Sequence, residues 1–221
     1  EVVALVGPNG SGKSTLVRIL CRLYDPDSGS VLYDGKDIKN FVPEEYRKQF
    51  SVLFQDFMLY NLTAGENIRL GNVAKASDVG KIKEAASEAG IHSLIESLPQ
   101  GYETSIGPLF NEGRELSWGE WQKIALARTL YRDAPILVLD EPSSALDADS
   151  EYEIFTRFRE AVKGKTVLLI SHRFTCIRLA DRIIVLNKGK IAESGTHEEL
   201  MQVKGIYYNL YLRQKSMYRD E

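Results

Sequence analysis

The chain has 221 residues, 43% of them apolar and 27% charged, which is enough apolar surface for a packed core and too much for a disordered chain. Its formal charge of −3 gives no broad basic footprint, so no nucleic acid is expected as a partner. Cys21 and Cys176 lack metal-ligand spacing and read as reduced thiols. No apolar run approaches the roughly 18 residues a membrane helix needs, and the N-terminus lacks a signal-peptide layout, so the chain reads as an excised piece that spans nothing by itself.

Val2 to Val6 is the first predicted strand and leads directly into a glycine-rich loop, followed by a helix-like stretch from Thr15 to Leu23. Gly29 to Ile38 reads as a strand pair turning at Asp34-Gly35. After a strand at Ser51 to Phe54, the β signal fades between Phe57 and Arg132 and helical periodicity takes over, notably at Lys81 to Ala89 and Trp121 to Tyr131. This predicts a helical subdomain over 57–132, inserted into a core formed by 1–56 and 133–221 and ended by Asp133-Ala134-Pro135. Strands follow at Ile136 to Leu139, Thr166 to Ile170 and Arg182 to Leu186, with a hairpin at Asn187-Lys188-Gly189-Lys190 before Ile191. β-branched runs alternating with helical stretches predict an α/β fold with a parallel sheet and an antiparallel β edge. Thr196-His197-Glu198-Glu199 fits a capping box.

The strongest chemical signal is Gly7-Pro8-Asn9-Gly10-Ser11-Gly12-Lys13-Ser14, which matches GxxxxGK[ST] between a strand and a helix. Glycines let the backbone wrap a phosphate so that amides and a helix N-terminus face the anion, while Lys13 reaches the β and γ phosphates. Ser14 suits a Mg²⁺ ligand, and Thr15 at the helix start belongs with the nucleotide-binding set. The second signal is Asp140-Glu141-Pro142 after an apolar strand, two acids delivered to the rim where α/β sheets bind ligands. Asp140 suits the Mg²⁺ shell, and Glu141 is placed to orient or deprotonate a water attacking the γ-phosphate.

Leu116-Ser117-Trp118-Gly119-Glu120 resembles an altered form of the ABC signature LSGGQ, and with it the chain resembles an ABC transporter nucleotide-binding domain of the exporter type. Gln55 in Val52-Leu53-Phe54-Gln55-Asp56 resembles the Q-loop glutamine, Ser144-Ala145-Leu146-Asp147 the D-loop, and Ser171-His172-Arg173 the switch histidine. The resemblance implies a P-loop NTPase, RecA-like core with the ABC ATPase fold, ATP and Mg²⁺ as ligands, and Gln55 as a contact to Mg²⁺ and water. It implies that His172 touches the γ-phosphate, and that Ser117, Gly119 and Glu120 face the nucleotide of a second nucleotide-binding domain. It further implies a transmembrane domain as partner, a place at the cytoplasmic face of the cell membrane, and an upstream part of the family domain absent from this chain. His92 and His197 have no such setting and are expected at the surface.

Trp118 stands where the family has its first signature glycine, and Glu120 where it has glutamine. With Glu141 and His172 intact, this asymmetry suits a heterodimer, a homodimer with a shifted loop being the alternative. Gly101 to Gly107 followed by Glu112-Gly113 resembles the exporter coupling loop, lengthened by Pro108-Leu109-Phe110. An importer ATPase subunit and an ATP-binding module without turnover are the rival readings. A DNA-maintenance ATPase would need long heptad arms between Gln55 and Ser117, for which the interval is too short.

Overall fold

The computed structural model describes residues 1–107, 115–142, 156 and 158–217. The backbone divides into two compact units, the first made of 1–50, 135–140 and 164–221, the second of 51–134 and 141–163. The helical span 57–132 expected from periodicity lies inside the second unit, which also takes in 51–56 and 141–163.

In the first unit, β1 (Val2–Val6) pairs in parallel with both β8 (Thr166–Ile170) and β9 (Arg182–Asn187), and β7 (Ile136–Asp140) pairs in parallel with β8. The strand order is β10-β9-β1-β8-β7, with β10 (Lys190–Gly195) antiparallel to β9. Beyond β7, Gln49 accepts the Ile136 amide at 3.1 Å. The parallel strands are mostly buried along their length, as sheets covered on both faces require, whereas the edge strand β10 is largely exposed and carries Lys190 and Glu193. Asn187 and Lys190 close a two-residue hairpin in which Lys188 (φ 50°) and Gly189 (φ 76°) take the left-handed conformation that such turns demand. The strand pair expected over 29–38 shrinks to β2 (Leu32–Tyr33) and β3 (Lys36–Asp37) about the turn Asp34-Gly35.

Because the four parallel strands run the same way, their C-terminal ends share one rim. Leu5 and Asp140 are both in register with Ile170, so Gly7, Asp140 and the Ser171-His172 step all emerge there. The helix α1 (Lys13–Leu20) leaves the loop after β1, and α2 (Pro43–Arg47) follows β3. Ala4, Val6, Ile183 and Val185 form a core with Leu200 and Tyr207.

The second unit begins in β4 (Phe50–Leu53) and contains α3 (Ala64–Arg69), α4 (Val79–Glu88), α5 (His92–Glu96) and α6 (Trp118–Tyr131). A short ribbon pairs β5 (Leu62–Thr63) with β6 (Ser105–Ile106). Nine side chains of α6, from Trp121 to Tyr131, are buried on several faces, which marks it as the central helix. It is tied to α3 by polar bonds: Arg128 Nε and a terminal nitrogen donate to the Asn67 carbonyl (2.9 Å) and Oδ1 (3.0 Å), and Asn67 is fully buried. A buried side chain of this kind needs every partner, and Asn67 Nδ2 donates in turn to the Tyr60 carbonyl.

Just beyond α3, Gly71 touches the backbone of α6, and a Cβ there would lie 2.0 Å from the Arg128 carbonyl oxygen. Neither backbone can yield without breaking helical bonds. Gly71→Ala is therefore expected to lower the stability measured by chemical denaturation by about 1–3 kcal/mol.

Candidate functional site

The first unit's rim is built around the loop from Gly7 to Ser14. Gly7 sits at φ 153°, and a Cβ on it would meet the Leu186 carbonyl oxygen at 2.1 Å and Ser11 Oγ at 2.9 Å, so only glycine fits. Gly10 and Gly12 also take positive φ (75° and 103°). The loop is closed by Ser11 N donating to the Pro8 carbonyl (3.1 Å) and by Gly189 N, from the β9–β10 hairpin, donating to the Ser11 carbonyl (3.0 Å). Lys13 Nζ donates to the carbonyls of Gly7 (2.9 Å) and Pro8 (3.2 Å), and only 8% of Lys13 is exposed.

Three features fit this loop to an anion. The N-cap of α1 is Gly12, with no side-chain cap and no acid in the first turn, so the positive end of the helix is not cancelled. Ser11 is 3% exposed, yet its Oγ has no hydrogen-bond partner among the described residues, a costly arrangement unless a ligand completes it. Pro8, Asn9, Gly10, Ser14 and Thr15 are open to solvent beside it.

Asp140 closes β7 and is 7% exposed, set at the same rim. His172 lies just past the end of β8, after Ser171. Ser171, fully buried, accepts the Arg173 amide on its Oγ at 2.9 Å. His172 lines a cleft of about 200 Å³ together with Val6, Gly7, Ser171 and residues of the C-terminal helix. Although part of its ring is open to solvent, burial of the remainder and the Lys13 ammonium hold its pKa below the ordinary 6.5. The imidazole is thus neutral at pH 7, with one nitrogen to donate and one to accept.

In the second unit, Glu141 adopts φ 52°, an uncommon conformation for a residue with a side chain. Its carbonyl accepts from Gln122 Nε2 at 2.9 Å, and Gln122 is a buried residue of α6. Sequence reasoning assigned Gln122 no role in the site, since nothing in its local pattern reveals a bond across 19 residues. Gln55 lies on an exposed turn after β4. Ser117 is the N-cap of α6: its Oγ accepts the Glu120 amide at 3.3 Å, and Glu120 Oε2 accepts the Ser117 amide at 2.7 Å. Gly119 is half-buried in the first turn. Trp118 is 51% exposed and stacks on Phe57, ring centroids 4.9 Å apart and planes 25° from parallel. Ser144 to Asp147, Pro108 to Phe110 and Glu112-Gly113 lie outside the described residues.

A family model described as "ABC transporter" matches residues 1–144. The chain belongs to the ABC transporter family. Membership implies ATP binding. Similar proteins include an ATP-dependent lipid A-core flippase of Cupriavidus metallidurans, 42% identical over 212 residues, covering 96% of this chain and 35% of that protein. The subtilin transport ATP-binding protein SpaT of Bacillus subtilis is 45% identical over 207 residues (94% of this chain, 34% of that one). Human ATP-binding cassette sub-family B member 5 is 44% identical over 210 residues (95% and 16%). The ABC domain therefore spans about a third or less of these relatives. Among solved structures, a bacterial Atm1-family ABC exporter with ATP bound is similar at TM-score 0.90 and 40% identity, covering 97% of this chain and 37% of that one. No helix among the described residues is long and apolar enough to cross a membrane.

The other two histidines of the ABC domain differ from expectation. Neither is a plain surface residue: both are half-buried, His92 Nδ1 bonding the Tyr102 hydroxyl at 2.8 Å and His197 Nδ1 the Tyr207 hydroxyl at 2.7 Å. Each tyrosine lies ten residues downstream, beyond the reach of helical or strand periodicity.

With its pKa depressed in the fold, His172 resists protonation that the unfolded chain accepts near 6.5, so its contribution to stability is present above that pH and lost as pH falls below it. An NMR titration of its ring should give a midpoint under 6.5, and Lys13→Met should move that midpoint upward.

Proposed function

We propose that this domain binds ATP with Mg²⁺ and, paired with a second nucleotide-binding domain, hydrolyses it to drive export by the membrane-spanning part of a longer protein. The observation that carries the reading is the buried Ser11 hydroxyl, without a partner among the described residues, beside Lys13 in a glycine loop whose helix has no acid in its first turn. The export direction is supported by the flippase and the exporter among its relatives.

In this reading the loop grips the β and γ phosphates while Lys13 exchanges the carbonyls of Gly7 and Pro8 for phosphate oxygens. Ser14 and Asp140, both on the first unit's rim, would hold Mg²⁺. These are oxygen donors of the kind that ion prefers, and it commonly keeps only one or two protein ligands beside phosphates and water. Bound Mg²⁺ would offset phosphate charge. Glu141 takes a proton from the attacking water as the γ-phosphorus accepts its oxygen and the bond to ADP breaks. His172, neutral at pH 7, donates a hydrogen bond to the γ-phosphate without adding the desolvation cost of an imidazolium.

Glu141→Gln in the intact transporter should leave ATP binding unchanged and lower turnover by about 100-fold or more. Wild-type phosphate release from that variant would remove Glu141 from the reaction.

The partner is proposed to be a non-identical domain, at the inner face of the membrane. Ser117, Gly119 and Glu120 would face its nucleotide, yet the Glu120 carboxylate already occupies the start of α6 and would repel a phosphate there. Two domains of different sequence would then share the work unequally. The full-length protein purified alone is expected to show little ATP turnover and to recover it with its companion. A homodimer with two equivalent hydrolysing sites would overturn the asymmetric pairing.

A further inference from the structure

The motifs account for His172 but for nothing that holds it in place. After His172 the chain enters a short helix, α7 (Phe174–Ile177), whose N-cap is Arg173, a residue with no acceptor in its side chain. The two amides that follow His172 are satisfied by other means. Arg173 N donates to Ser171 Oγ at 2.9 Å, and Phe174 N donates to Gln214 Oε1 at 3.0 Å, across 40 residues. Gln214 belongs to the C-terminal helix α9 (Ile206–Met217), which follows α8 (His197–Val203).

That helix is itself anchored. The amides of Ile206 and Tyr207 donate to the two carboxylate oxygens of Glu193 on β10, at 2.5 and 3.0 Å. Tyr207 is fully buried, and the Phe174 ring meets Tyr207 and Tyr211 edge to face at 5.3 and 5.1 Å. Gln214 also lines the cleft shared by Gly7 and His172. The acceptor that fixes the backbone beyond His172 therefore sits on a helix held at its first turn and along one face.

We propose that Gln214 is a positioning residue for His172, capping α7 from the C-terminal helix so that the imidazole is held over the phosphate loop. Without this acceptor the Phe174 amide loses its bond, the start of α7 loosens, and His172 spends less time in the productive orientation. The loss falls on turnover and spares ground-state binding, because the loop that grips the nucleotide is untouched. The proposal rests on the reading that His172 acts on the γ-phosphate.

The test compares Gln214→Leu, Gln214→Glu, His172→Ala and the double variant His172→Ala/Gln214→Leu in the full-length transporter, measuring kcat, the KM for ATP and Tm. Gln214→Leu should lower kcat by about tenfold with KM near wild type and only a small fall in Tm, and Gln214→Glu, which keeps an acceptor, should retain most of the turnover. The double variant should be no slower than His172→Ala alone, since Gln214 works only through the imidazole. If His172→Ala turns over like wild type, the functional reading of His172 falls. If His172→Ala is slow but Gln214→Leu is not, or both Gln214 variants lose equally, or the losses multiply in the double variant, the positioning role falls. A fall in Tm accompanied by a rise in KM for Gln214→Leu would reduce Gln214 to a structural contact and also overturn it.

Discussion

The loop between β1 and α1 passes so close to the end of β9 that a single methyl group at Gly7 would lie 2.1 Å from the Leu186 carbonyl oxygen. That approach brings the β9–β10 hairpin into bonding distance, where Gly189 closes on Ser11. It also leaves the Gly7 and Pro8 carbonyls facing inward as a seat for the Lys13 ammonium. A lysine this buried needs such acceptors in place of water. Burial first, and then the same charge, lower the affinity of His172 for a proton, so the loop acts on the neighbouring strand end as well as on its own shape.

Three helix starts are closed by the chain itself. Thr63 with Glu66, Ser117 with Glu120, and Thr196 with Glu199 form capping boxes that satisfy the first amides of α3, α6 and α8 from within the chain. The start of α1 has only Gly12 and no acid in its first turn. An open helix start beside a glycine loop and a buried lysine is suited to an anion brought from outside. By the same logic, the start of α6 is already supplied with a carboxylate, which gives the Glu120 substitution a physical meaning that the motif alone does not convey.

The acids at the end of β7 take different backbone paths. Asp140 is the last residue of an extended, buried strand, while Glu141 turns immediately into the left-handed region. That conformation is unfavourable for a residue with a Cβ, and the bond from buried Gln122 to the Glu141 carbonyl helps to hold it. The arrangement around His172 follows the same rule, with amides pinned by Ser171 and by a glutamine from the far end of the chain.

The strands Val2–Val6 and Thr166–Ile170, the hairpin at Lys188-Gly189, the Thr196 cap and the glycine turn between β1 and α1 were legible from residue order alone, because each depends on residues within a few positions of one another. Residue order overstated the strand pair between Gly29 and Ile38, since turn chemistry at Asp34-Gly35 marks a hairpin without setting how far its strands stay paired. Tertiary structure alone decided which glutamine supports Glu141, which one caps the helix after His172, and which tyrosines bind His92 and His197. Those bonds join residues separated by 10 to 40 positions, and no local periodicity encodes which distant side chain will arrive once the apolar faces have packed.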